Sequence, residues 1–151
     1  MMHQITCGEL VDTLNLGEKI GKSCRGGEVF ELISDLGGGK TAFVRGLAKG
    51  LGAQDEVSSP SFTINNTYVA PKLTLEHFDF YRLEQPGLMA GQLHEDIFRG
   101  DTVVAVEWGD VVSDVLPPAR IVVVITVNDD ESRNFSFTIP EQFLYLMKDI
   151  S

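Results

Sequence analysis

Thiols and imidazoles are scarce in this sequence. Cys7 and Cys24 are the only cysteines, neither belongs to a C-x-x-C pair, and the histidines are His3, His77 and His94. A structural zinc site draws four such ligands at close spacing, so the pattern argues against one, and it offers no disulfide framework. Basic residues are also few. Lys and Arg number 12 against 22 Asp and Glu, for a net charge of −10 and a pI near 4.6. Polyanions are gripped by Lys and Arg that displace counterions from phosphates. A chain this acidic is not expected to hold RNA or DNA strongly by itself, and any nucleic-acid role should run through a partner protein. No apolar run approaches the roughly 20 residues needed to cross a bilayer. The first residues, MMHQITCGEL, show neither a basic start nor a secretory apolar segment. The expectation is no membrane contact and a cytoplasmic location.

What is present fits a globular α/β chain. Its 151 residues are 43% hydrophobic, enough for one domain over residues 1–151 with a real core. Thr6-Cys7-Gly8-Glu9 has the S/T-x-x-E form of a capping box, with Leu10, Leu14, Gly17 and Gly21 following at helical spacing. This predicts an N-terminal helix ending near Cys24. Glu28 to Ser34 reads as a strand, and TAFVRGLAKGLG places Phe43, Val44, Leu47 and Leu51 on one helical face stopped by Gly52. Phe62 to Val69 and Leu73 to Tyr81 read as a hairpin around Pro71 and Lys72, and Gly87 to Phe98 as a helix. Thr102 to Val106 has the continuous apolar pattern of a strand buried on both faces. Ile121 to Val127 is a similar run, and Arg133 to Ile139 can pair with it around Asn128-Asp129-Asp130; a short helix follows Pro140. The economical architecture is a mostly parallel central sheet with flanking helices and an antiparallel hairpin.

The chemistry concentrates in Ser34-Asp35-Leu36-Gly37-Gly38-Gly39-Lys40-Thr41. It has the form of the phosphate-binding loop G-x-x-x-x-G-K-[ST], with serine at the first glycine. A strand precedes it and a helix follows, the setting in which successive N–H groups converge on phosphate oxygens. Asp35, Leu36, Gly37, Gly38, Gly39, Lys40, Thr41 and Ala42 are therefore the candidate nucleotide-binding stretch. Lys40 would reach the outer phosphates, and the Thr41 hydroxyl would coordinate Mg2+. Such a loop needs acids nearby. Glu107 ends the buried run TVVAVEW, and Asp79 lies near the end of LEHFDFYR. Lys40, Asp79 and Glu107 form the candidate catalytic set, with Thr41, Glu107 and Asp79 the candidate metal ligands. Trp108, the only tryptophan, is either core or an aromatic lid or partner contact beside the nucleotide. Alternation along its strand assigns His77 to a polar face, and His94 and Glu95 to a solvated helix face.

Together these blocks resemble TsaE (also called YjeE), the bacterial P-loop ATPase family needed for the threonylcarbamoyladenosine modification of tRNA. DLGGGKT resembles G-D-L-G-A-G-K-T, and Val57-Ser58-Ser59-Pro60-Ser61-Phe62 resembles V-x-S-P-T-F. His77-Phe78-Asp79-Phe80-Tyr81-Arg82 is similar to H-x-D-x-Y-R, and Glu107-Trp108 to E-W. The resemblance spans most of the chain, with Ser34, Gly38 and Ser61 as departures. It implies a P-loop NTPase fold, ATP and Mg2+ as ligands, and ATP hydrolysis that serves TsaD and TsaB, TsaD carrying the transfer chemistry. It implies that Ser59, Pro60, Ser61 and Phe62 form a switch segment, and that Thr13 and Arg133 lie near the adenine. Tyr81, Arg82 and Trp108 are implied as switch or partner contacts. Two other uses of such a loop stay open on the residues alone. A small-molecule kinase would carry an arginine-bearing lid, and only the isolated Arg82 and Arg99 are present. A non-catalytic nucleotide switch would bind without hydrolysis; the absence of N-K-x-D argues against guanine.

Overall fold

The β-branched runs make the middle of the sheet, and the polar runs make its edges. In chain order the elements are β1 (Met2–Cys7), α1 (Leu10–Ser23), β2 (Val29–Ser34), α2 (Lys40–Leu51), β3 (Asn65–Val69) and β4 (Thr74–Asp79). There follow α3 (Leu88–Ile97), β5 (Thr102–Glu107), β6 (Ile121–Val127), β7 (Arg133–Thr138) and a 3₁₀ helix at Glu141–Met147. The computed structural model describes residues 2–34, 39–54, 65–80, 88–108 and 112–150. The seven strands form one sheet in the order β1-β7-β6-β2-β5-β4-β3. β4, β5, β2 and β6 are parallel, while β3, β7 and β1 extend the two sides through antiparallel pairs. Every residue of β5 is buried, as expected of a strand covered on both faces.

Two apolar clusters sandwich the sheet. On one face Leu16 and Ile20 of α1 and Phe43, Val44 and Leu47 of α2 pack on Leu32, Ala105, Val123, Phe135 and Phe137. On the other, Leu93 of α3 joins Val29, Phe78, Val104, Val106, Val112 and Leu116. α1 and α2 meet backbone to backbone. A Cβ on Gly17 would lie 2.5 Å from Phe43 O, and one on Gly46 would lie 2.4 Å from Leu14 O. Gly21 and Gly50 are equally close to Leu47 O (2.4 Å) and Glu18 O (2.3 Å). Only hydrogen side chains permit this approach, which ties α1 rigidly to the helix that follows the glycine-rich loop. Among the described residues no helix is long and apolar enough to cross a membrane.

The predicted helix after the glycine-rich loop is found, ending on Gly52 at φ +91°. The hairpin around Pro71 and Lys72 and the β6–β7 pair are also present. The N-terminus differs. Thr6 does not cap a helix: it lies in β1, and its hydroxyl donates to Asn134 Oδ1 at 2.7 Å. The reciprocal cap sits three residues later, where the Glu9 N–H donates to Asp12 Oδ2 at 3.0 Å. The inward positions of α1 are then Thr13, Leu16, Gly17, Ile20 and Gly21, while Leu10 is exposed. Pairing with β7 overrode the local cap signal. The tail forms a 3₁₀ helix, held by the Tyr145 hydroxyl donating to the buried Glu28 carboxylate.

Candidate functional site

β2 delivers the chain to the glycine-rich stretch in the middle of the sheet, and α2 starts at Lys40. Asp35, Leu36, Gly37 and Gly38 lie outside the described residues, as do Ser59, Pro60, Ser61, Phe62, Tyr81 and Arg82. Gly39 occupies the N-cap at φ +102°, a left-handed conformation suited to glycine. No side chain caps α2, and no acid stands in its first turn. The first backbone bond there is Phe43 N to Gly39 O at 3.1 Å. The N–H groups before Phe43 therefore have no acceptor within the helix, and the positive end of its dipole is left for an anion.

Arg133 approaches the same point from β7. A Cβ on Gly39 would meet Arg133 Cδ at 3.1 Å and Nε at 3.3 Å. Arg133 is paired in register with Cys7 on one side and Val127 on the other. The Cys7 thiol is hydrogen-bonded to Thr13, itself 2% exposed. The structure thus brings Arg133 against Gly39, and Cys7, Val127 and Thr13 follow outward from Arg133 through strand register and the Cys7–Thr13 hydrogen bond.

Lys40 is buried, at 6% exposure. Its Nζ lies 3.4 Å from Glu107 Oε1 and 4.7 Å from the centre of the Trp108 ring. The other oxygen, Glu107 Oε2, lies 2.5 Å from His77 Nε2. Asp79 is in register with Glu107 on the neighbouring strand, and Phe80 N donates to Glu107 O at 3.0 Å. Strand alternation puts His77, Asp79 and Glu107 on the sheet face that carries α2, since Leu75 packs in that cluster and Phe78 in the opposite one. Burial alone would raise the Glu107 carboxyl. The His77 hydrogen bond and charge and the Lys40 ammonium outweigh it and hold the pKa below the ordinary glutamate value. Glu107 is therefore a carboxylate at neutral pH, and acceptor-only. Trp108 is half-buried and packs on the second cluster while its ring covers Lys40, so the core and lid readings each describe part of it.

The donor set suits a hard cation shared with phosphate. Thr41 is half-buried at the start of α2, and two carboxylates end adjacent strands. Among the described residues no group of three or more His, Cys, Asp or Glu could enclose a metal. Magnesium is commonly held by one or two carboxylates, with substrate phosphates and water supplying the rest, so Thr41, Glu107 and Asp79 are the residues that could hold it.

The model of the family described as "Threonylcarbamoyl adenosine biosynthesis protein TsaE" matches residues 8–135. The chain belongs to the TsaE family. A relative from Nostoc sp. is 36% identical over 140 residues, covering 91% of this chain and 86% of that protein. One from Bacillus subtilis is 40% identical over 112 residues, 74% of this chain and 70% of the relative. Both carry the name tRNA threonylcarbamoyladenosine biosynthesis protein TsaE. The crystal structure of Bacillus subtilis YdiB superposes with a TM-score of 0.79 at 29% identity, covering 99% of this chain and 93% of that one. As a TsaE protein the chain is a P-loop nucleotide-binding protein.

In this TsaE chain the sequence reasoning missed His77. It was assigned to a polar strand face, yet β4 is buried on both faces and His77 is 0% exposed. One signal was available: His77 stands two residues before Asp79, so the two share a face.

Proposed function

We propose that this TsaE chain is an ATP-binding and Mg2+-dependent ATP-hydrolysing subunit of tRNA N6-threonylcarbamoyladenosine formation. It is a single P-loop ATPase domain over residues 1–151 that acts with TsaB and TsaD in the cytoplasm. The observation that carries this is the buried Lys40–Glu107 pair, at 3.4 Å, beside the uncapped start of α2. A lysine at the start of a helix whose first N–H groups have no acceptor within the helix fits a polyphosphate. Lys40 would exchange Glu107 for an outer phosphate oxygen. Thr41, Glu107 and Asp79 would hold the magnesium, which when bound neutralises charge on the phosphates. Trp108 shields Lys40 from water and strengthens its electrostatic pull. Thr13 and Arg133 would lie near the base, Arg133 being the one that packs against Gly39. The family name supports the pathway, and the net charge of −10 supports a subunit that drives tRNA-holding partners rather than gripping tRNA.

Hydrolysis is expected to be slow in isolation, since an NTPase site completed by a partner works poorly without it. The test is phosphate release from MgATP by the chain alone and with TsaB and TsaD. Stimulation by the partners, lost in Lys40→Ala, is expected. Full activity in isolation would refute the partner dependence, and an unchanged Lys40→Ala variant would refute the site. Charge-assisted bonds to one lysine contribute about 1.5–3 kcal/mol, so Lys40→Ala should weaken ATP binding by roughly 10- to 100-fold in calorimetry.

A further inference from the structure

His77 is fully buried, but only half of its hydrogen-bonding capacity is used. Nε2 lies 2.5 Å from Glu107 Oε2, and Nδ1 has no hydrogen-bond partner among the described residues. An imidazole kept only to fill the core would be costlier than a phenyl ring, since a buried polar atom without a partner is penalised. The one bond it makes is therefore what its position serves. Glu107, as a carboxylate, only accepts, so Nε2 carries the proton of this bond.

Glu107 has two partners, and nucleotide competes for one of them. Lys40 holds Oε1 at 3.4 Å and stands at the start of α2, where phosphate would draw it away. A carboxylate held by one oxygen keeps its plane; one held by neither rotates freely. We propose that His77 is a positioning residue of the nucleotide site, fixing Glu107 through Oε2 so that Oε1, once released by Lys40, stays directed at the bound magnesium and phosphate. The inference rests on the ATPase function proposed above and adds a residue to it. His77 touches neither nucleotide nor metal in this scheme and acts only through Glu107. Its place matches that of groups that orient metal-binding carboxylates in other sites.

Side-chain length makes the test specific. Glutamine places an amide donor near the position of Nε2, asparagine places one near Nδ1, and phenylalanine keeps the ring without a donor. Nucleotide binding is read from Trp108 fluorescence, with ADP and ATP, in Mg2+ and in EDTA. Phosphate release is measured with TsaB and TsaD, and folding by circular dichroism. His77→Gln should stay near the unaltered chain, while His77→Asn and His77→Phe should lose about 10- to 100-fold in Mg2+-dependent affinity and in turnover. Their affinity in EDTA should not change, which a merely structural defect would not reproduce. A folded His77→Phe with the full magnesium gain and full turnover would overturn the inference alone. So would His77→Gln failing as badly as His77→Asn, a comparison that also decides the matter if the Phe variant does not fold. An unaltered chain that binds no nucleotide would overturn the proposed function and this inference together.

Discussion

Trp108 takes φ +57°, a conformation that a bulky residue adopts only where its surroundings impose it. The constraint is visible: Glu107 ends β5 with its carboxylate turned to Lys40, and the next residue must bring its ring back over the same ammonium. In the free protein Lys40 is thus caged by a carboxylate and an aromatic face. Glu107→Gln removes the charge that competes with phosphate. In EDTA it is expected to bind ATP at least as tightly in calorimetry, while the Mg2+-dependent gain in affinity is lost and phosphate release with TsaB and TsaD falls by about 100-fold or more. Weaker binding in EDTA together with normal turnover would contradict the exchange. A second residue tests the opposite face of the sheet. Asp96 is 0% exposed and its Oδ2 lacks a hydrogen-bond partner among the described residues. Burial raises its carboxyl above the ordinary aspartate value, against a Gln92 hydrogen bond and the Arg99 charge. The folded chain therefore binds this proton more tightly than the unfolded chain. The contribution favours folding below the ordinary carboxylate range and is lost as pH rises through the raised value. Asp96→Asn carries no charge at any pH. It should gain about 1 kcal/mol at neutral pH, read as a Tm higher by a few degrees, and nothing near about pH 3.

α1 and α2 depend on glycine for packing rather than for turns. Gly17 and Gly21 were legible as residues at helical spacing, but their role was not, because their neighbours Gly46 and Gly50 lie on another helix. Gly46→Ala would push a methyl to 2.4 Å from Leu14 O. The helices must then separate, costing about 1–3 kcal/mol in urea unfolding. Gly91→Ala on α3 meets nothing within 4 Å and should instead stabilise by about 0.5–1 kcal/mol, the ordinary gain of alanine over glycine in a helix. Equal effects at the two positions would show that helix propensity, not close packing, decides both. β1 escaped the sequence for a related reason. MHQITC has only Ile5 and Cys7 turned to the core, too few for a strand signal, and its partner β7 lies at the far end of the chain.

Over the whole molecule, a net charge of −10 sets what the surface can hold. The chain alone is expected to leave tRNA unshifted in a native gel at physiological salt, and tRNA should be retained only when TsaB and TsaD are present. Salt-sensitive binding by the isolated chain would contradict this. Bound nucleotide should in turn stabilise the fold, by about 2.7 kcal/mol at a concentration 100 times Kd, visible as a concentration-dependent Tm. The glycine-rich stretch between a strand and a helix, the Gly52 stop, the β3–β4 hairpin and the acidic surface were all determined by sequence alone. Each depends on residues that are neighbours along the chain, or on simple sums of charge. Only the tertiary structure decided that Glu107 meets both Lys40 and His77, and that Arg133 lies against Gly39. Those contacts follow from sheet order and register, which placed β5 beside β2 and β4 and brought β7 round to the loop. Strand pairing is a choice among distant segments, made by the burial of the whole core, and no local pattern carries it.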